Sequence, residues 1–343
     1  MTVEDYLKSQ KVNSSKTEPQ TADREFLDKN GPEAFIYRCL MSKKFRKWKV
    51  GEDYAKELKE SVHYAVTKHL PINTTYFFGG YKLWCFETAP EVDWAEFFNI
   101  CYMLKYIALI GQSYKPGAIM TYWAAHPSIM KRQSNIPEKD CLIYRQSFNK
   151  LLGEFQEHLP GNIKLELRSF AELYPNEKEY LDELEPLIEK VQQENKDWPE
   201  ERKKKREATS TLNLQWQGAE DWTWLSEAEK QEKIRLGPIV HDGYCRLSRV
   251  HEAIRGLGKV DLSATPLPKY NSIPIGTTSN SVAKFWTGFG VLEKRGDGYI
   301  DRILSPKQFE QIKNQDHEVV KSDLIPLKNF KEIWVYPGEL SFS

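Results

Sequence analysis

The 343-residue sequence predicts an α/β protein: a mostly parallel sheet flanked by helices, with a charged helical insertion and a C-terminal β-hairpin. Two observations carry this. Helical and strand-like segments alternate between about residues 32 and 170, and such alternation sets parallel strands side by side with helices crossing over them. A long charged stretch from about 177 to 236 interrupts the alternation before strand-like segments resume. With 40% apolar and 13% aromatic residues the chain can fill one enlarged core, which excludes a disordered protein.

Residues 1–30, rich in Ser, Thr, Gln and charge, read as a flexible arm outside the fold. Residues 31–176 form the first part of the core. Pro32 opens a helix, and a second helix from about Asp53 to His69 places Tyr54, Leu58, Val62, Ala65 and Val66 at helical spacing. The segment Pro71 to Gly80 is β-prone and ends in two glycines, as a strand entering a loop would. At Asp93 a helix starts, with Glu96 three residues on and Phe97, Ile100, Cys101, Leu104 and Ala108 along one face. After the turn Tyr114-Lys115-Pro116-Gly117 come a strand at Ala118 to Trp123, a helix at about Tyr144 to His158 and an alternating strand at Ile163 to Phe170.

Residues 177–236 read as an insertion or lid. Pro199 separates two helices in it, and the cluster Trp216, Trp222 and Trp224 gives it something to dock with. Residues 237–343 supply the second part of the core. Strands are expected at Tyr244 to Val250, at Lys259 to Thr265 and at Glu332 to Tyr336, with a hairpin from Phe289 to Leu304 turning at Gly296-Asp297-Gly298.

Lys+Arg and Asp+Glu both number 49, so nothing draws the whole chain toward nucleic acid or an anionic membrane. The basic run Arg202 to Arg206 is flanked by Glu200, Glu201 and Glu207, which makes it a solvated helix face. Five scattered cysteines without a C-x-x-C pair suit reduced thiols in the cytoplasm and argue against structural zinc. The N-terminus has no signal-peptide pattern, and the longest apolar stretch, Phe97 to Ile110, is broken by Lys105, so a cytoplasmic protein that does not span a membrane is expected. A homodimer is compatible with this composition. The common phosphate-loop, dinucleotide, zinc-protease and hydrolase motifs are absent from the sequence.

Two groups of residues and one histidine could carry chemistry. Gly79-Gly80-Tyr81-Lys82 would let backbone amides and a lysine approach an anionic ligand, helped by the amides of the helix opening at Asp93. Asp93 and Glu96 fit that site and fit equally a capping box. In the second group, around His241-Asp242-Gly243, Arg246 and Ser248 would share one strand face and reach a phosphate or carboxylate, with His251 as general acid or base. The alternative is an edge strand with its polar face in water. His126, just beyond the strand at 118–123, stands where parallel sheets carry function, although a histidine before a proline also serves structure.

In their order along the chain, Lys82, Asp93-Trp94-Ala95-Glu96, Tyr114-Lys115-Pro116-Gly117-Ala118, Arg246-Leu247-Ser248 and Phe285-Trp286 resemble the motifs of the isonitrile synthases of the pyoverdine/dityrosine biosynthesis group. The resemblance spans roughly residues 55 to 310. It implies a Rossmann-like core and a reaction that joins the amino group of an aromatic amino acid to a carbon from ribulose 5-phosphate, without metal or redox cofactor. It also implies that Lys82, Arg246 and His251 hold the sugar phosphate while Asp93 or Glu96 binds or deprotonates the amine. The chain departs from the family at Phe77-Phe78-Gly79-Gly80-Tyr81-Lys82, at Ala124-Ala125-His126-Pro127 and at Thr287, where the family has a histidine. Two other readings remain open, a different small-molecule transferase on the same core and a non-catalytic adaptor working through the insertion.

Overall fold

The computed structural model describes residues 1–79, 90–134, 136–215, 226–251, 256–264 and 272–342. Its centre is a five-stranded parallel sheet built from β1 (Ile72–Phe78), β2 (Ala118–Ala124), β3 (Ile163–Ser169), β4 (Lys259–Ser263) and β5 (Ile273–Pro274), in the order β3-β2-β1-β4-β5. The chain steps outward from β1 to β2 to β3 and then returns to the other side of β1. This reversal opens a crevice between the carboxyl ends of β1 and β4, where doubly wound folds bind ligands.

The helix α4 (Trp94–Ser113) links β1 to β2, while α5 (Pro127–Ser134) and α6 (Glu138–Gln156) link β2 to β3. Almost every residue of α4 is buried, as its apolar composition requires, because it lies between the parallel sheet and a second layer. That layer contains α1 (Val3–Ser15), α2 (Thr21–Leu40) and a four-stranded sheet, while α3 (Glu52–Thr67) packs against β4. The four-stranded sheet comprises β6 (Phe289–Arg295), β7 (Gly298–Leu304), β8 (Glu318–Lys321) and β9 (Glu332–Tyr336), ordered β7-β6-β9-β8. The hairpin β6–β7 turns where the glycines predict, Gly296 taking a φ of 55° that favours glycine. A short helix, α10 (Pro306–Ile312), follows β7.

Two expectations are corrected. Residues 1–30 are not an arm outside the fold, for they form α1 and the first part of α2. Val3, Tyr6 and Leu7 fall at helical spacing and are buried against the core, and Lys11 Nζ reaches Glu154 Oε2 at 2.7 Å. A three-residue apolar stripe is enough to dock a helix whose average composition is polar. The helix predicted from Pro32 is present, separated from the preceding turns by a kink at Gly31 with φ 78°.

The strand expected at Tyr244 to Val250 is instead the last part of α9 (Glu227–Val250). Val240, Tyr244 and Leu247 recur at helical spacing and pack with Tyr180, Leu184, Ile188 and Val191 of α7 (Glu177–Lys196). Gly243 permits the close crossing, since a Cβ there would lie 2.5 Å from Ile188 Cγ1. The charged stretch therefore has an apolar stripe that covers Trp123, near the end of β2, and Phe170, just after β3. The helix α8 (Glu200–Gln215) follows Pro199 as predicted, and Trp216, Trp222 and Trp224 lie outside the described residues.

Candidate functional site

At the carboxyl end of β1, Gly79 lies against the indole of Trp286. A Cβ at position 79 would come within 2.9 Å of Trp286 Cδ1 and Nε1, so only glycine fits the strand end as it stands. The ring of Trp286 sits edge-on to Tyr76 at 6.4 Å and tilted against Phe78 at 5.9 Å, with Phe285 stacked on Tyr76 at 5.9 Å. Phe148 and Tyr122 extend this aromatic nest across β2. The Lys284 ammonium is 5.8 Å from the Trp286 ring centroid, and burial pushes its pKa below the usual lysine value. The fully buried Tyr76 hydroxyl has no hydrogen-bond partner among the described residues, and burial holds it in the neutral form. Tyr76, Phe78 and Phe285 are buried in the core, so the half-buried Trp286 and Lys284 are the members of this group that reach the surface at the end of β1.

The other side of the sheet holds two of the predicted histidines. His126 follows β2, and His251 ends α9 beyond Phe170, which itself follows β3. The rings run from His126 to Tyr180 at 5.6 Å, from Tyr180 to Tyr174 at 5.5 Å and from Tyr174 to His251 at 5.9 Å. Burial lowers the pKa of His126, and its Nδ1 accepts from the Ser128 backbone N–H at 3.3 Å, so the neutral ring also caps the start of α5. Trp123 Nε1 and the Tyr180 hydroxyl are buried without a partner among the described residues in this same cluster.

The remaining predicted residues fare differently. Asp93 and Glu96 form the capping box: Asp93 Oδ1 accepts from the Ala95 N–H at 2.7 Å, and Glu96 Oε2 accepts from the Asp93 N–H at 2.8 Å. Glu96 Oε1 accepts from the Tyr144 hydroxyl at 3.0 Å, so this fully buried carboxylate clamps α4 to α6. The amino end of α4 is further closed by β6, because a Cβ on Gly290 would lie 2.4 Å from the Ala95 nitrogen. The expected contribution of these amides to an anion site is thereby corrected, since Asp93 and the second sheet occupy them.

Arg246 and Ser248 do not share a strand face. On α9 the Arg246 fork is engaged by Glu194 of α7 at 2.9 and 2.5 Å, and the Ser248 hydroxyl donates to the Cys245 carbonyl one helical turn back. Gly80, Tyr81 and Lys82 lie outside the described residues. Sequence reasoning missed Lys284 and Tyr76. The Phe285-Trp286 motif pointed to the right segment, but the desolvation of its neighbour is a tertiary property.

Among the described residues no group of three or more His, Cys, Asp or Glu side chains could hold a metal ion, and no helix is long and apolar enough to cross a membrane.

Strand order, parallel pairing and helical crossovers define a Rossmann-like α/β protein with an added second sheet. Within that class the chain is similar in fold to the crystal structure of the PvcA protein from Pseudomonas aeruginosa. The TM-score is 0.61 at 13% sequence identity, over 89% of this chain and 100% of that one. No family model and no curated protein matches the sequence.

Proposed function

We propose that the chain is a biosynthetic enzyme of isonitrile-synthase type, joining the amino group of an aromatic amino acid to a carbon drawn from a sugar phosphate. The observation that carries this reading is the placement of Trp286 against Gly79 at the carboxyl end of β1, where the strand order reverses, with the half-buried Lys284 next to Trp286. A lysine at such a strand end can add a charge-assisted hydrogen bond to a phosphate. Trp286, the partly exposed member of the aromatic nest, offers the ring that an aromatic amino acid packs against.

The ordered motifs from Lys82 to Phe285-Trp286 support the isonitrile-synthase type, and the fold shared with PvcA supports the frame it needs. In this reading Lys284 and Lys82 hold the phosphate and Gly79 leaves room for the sugar beside Trp286, while His251, on the other side of the sheet, takes no part. Glu96 and Arg246 serve structure, because their polar atoms are already committed. The packing of α7 and α9 onto Trp123 and Phe170 favours an enzyme over an adaptor arm, since these helices belong to the body of the protein.

The test is product analysis after incubation with tyrosine or tryptophan and ribulose 5-phosphate. The expected result is an infrared band of the carbon–nitrogen triple bond that requires both substrates. A conjugate without that band would assign the site to another transferase, and no turnover of either substrate would contradict the reading.

A further inference from the structure

We propose that Cys245 is a nucleophilic thiolate paired with His241, and that it is the point at which a hydroperoxide oxidises this protein. The inference is independent of the small-molecule reaction above. On α9 the Cys245 sulfur lies one turn beyond His241, 3.7 Å from both Nδ1 and Nε2. Asp242 Oδ1 stands 3.6 Å from His241 Nδ1, and Arg206 of α8 is bonded to Asp242 and to the Pro238 carbonyl. A sulfur, an imidazole and an orienting carboxylate fixed by a second helix are the parts of an activated nucleophile.

The placement allows a reagent in. His241 and Cys245 share one sector of α9 and are its open part, with the buried Gly237 and Ser248 at its two ends. The sectors beside it are taken up by α7 through Ile239 and Gly243, by α8 through Pro238 and Asp242, and by α5 through Lys233. Cys245 is only part-buried, and 44% of the His241 side chain remains open to water.

Charge favours the ion pair. Cys245, and after it Asp242, hold His241 above the usual histidine pKa, so the imidazolium persists at neutral pH. The other groups facing the pair do not compete: Arg206 is committed to Asp242, Arg246 to Glu194 of α7, and burial keeps the Tyr244 phenol neutral. The other described cysteines behave oppositely. Burial pushes the thiols of Cys39, Cys101 and Cys141 up to about 12, which leaves them protonated and inert.

The chemistry closes on these groups. The thiolate attacks one peroxide oxygen, so the S–O bond forms as the O–O bond breaks and its electron pair goes to the leaving oxygen. That oxygen takes the proton held by the imidazolium and departs as water or an alcohol. The sulfur is oxidised by two electrons to a sulfenic acid, the hydroperoxide is reduced by two, and His241 ends neutral.

The experiment is alkylation of the native full chain by iodoacetamide across about pH 6 to 8.5, with peptide mapping. A parallel reaction with hydrogen peroxide and dimedone traps any sulfenic acid. The expected result is a Cys245 alkylation rate almost flat over that range, no alkylation at Cys39, Cys101 or Cys141, and dimedone at Cys245. In His241→Gln the rate near pH 6.5 should fall about tenfold or more, with the melting temperature checked alongside. A wild-type rate that climbs about tenfold per pH unit, as for an ordinary thiol, would overturn the ion pair without recourse to the variant. A flat alkylation profile with no dimedone adduct would overturn the assignment to hydroperoxides.

Discussion

On the α4 side of the parallel sheet, β1 and β2 present Thr74, Tyr76, Phe78, Met120, Tyr122 and Ala124, all buried in one core. On the α7 side the same strands present Asn73, Thr75, Phe77, Ile119, Thr121 and Trp123, and β4 adds Asp261. There the Thr75 hydroxyl donates to Asp261 Oδ1 at 2.5 Å and the Thr121 hydroxyl to Asn73 Oδ1 at 3.3 Å. Parallel sheets covered on both faces usually carry apolar runs on each. The difference leads to the expectation that apolar burial stabilises the α4 side more than the α7 side. The α7 side carries a buried polar row, and among the described residues the helical insertion packs apolar side chains on it at the carboxyl end of β2 and just beyond β3.

Adjacent phenylalanines test this contrast most strongly. Phe78→Ala should cost about 3–5 kcal/mol in urea unfolding, whereas Phe77→Ala, at a half-buried position on the other face, should cost clearly less. Equal losses would mean that the two faces share the load. Glu96→Ala comes next, at about 2–3 kcal/mol, because it orphans the Asp93 N–H and the Tyr144 hydroxyl in the interior. Thermal melting would show it, and an unchanged melting temperature would remove the clamp role. Thr75→Val should cost about 1 kcal/mol, the net worth of its bond to Asp261.

The smallest effect concerns pH. His126 has a folded pKa lowered by burial, so the unfolded chain binds the proton first as pH falls. Its contribution to stability is present above the ordinary histidine value and is lost as pH drops from there through the lowered one. His126→Asn should flatten the melting temperature over that interval, and an unchanged slope would place the sensitive group elsewhere.

What the sequence disclosed was local. The capping box at Asp93 and Glu96, the strands β1 to β3, the hairpin glycines and the helix restart at Pro32 depend on neighbours a few residues away. The end of α9 did not disclose itself, because seven residues from Tyr244 to Val250 fit a period of two about as well as 3.6. Packing of Gly243 on Ile188, more than 50 residues distant in the chain, decides for the helix. The same choice removed Arg246 and Ser248 from one face and brought Cys245 beside His241. For the site, Gly79 could be read as a strand end and Trp286 as part of a motif. The contact of Trp286 with Gly79 arises only when the segment between β5 and β6 folds over β1.

The most direct measurement is calorimetric titration of ribulose 5-phosphate into the wild-type protein and Lys284→Met. Measurable binding to the wild type is expected, with at least about tenfold weaker binding to the variant. The variant's melting temperature is measured alongside, so that a loss of fold is not read as a loss of binding. Equal affinity for both proteins would contradict the placement of the anion site at Lys284.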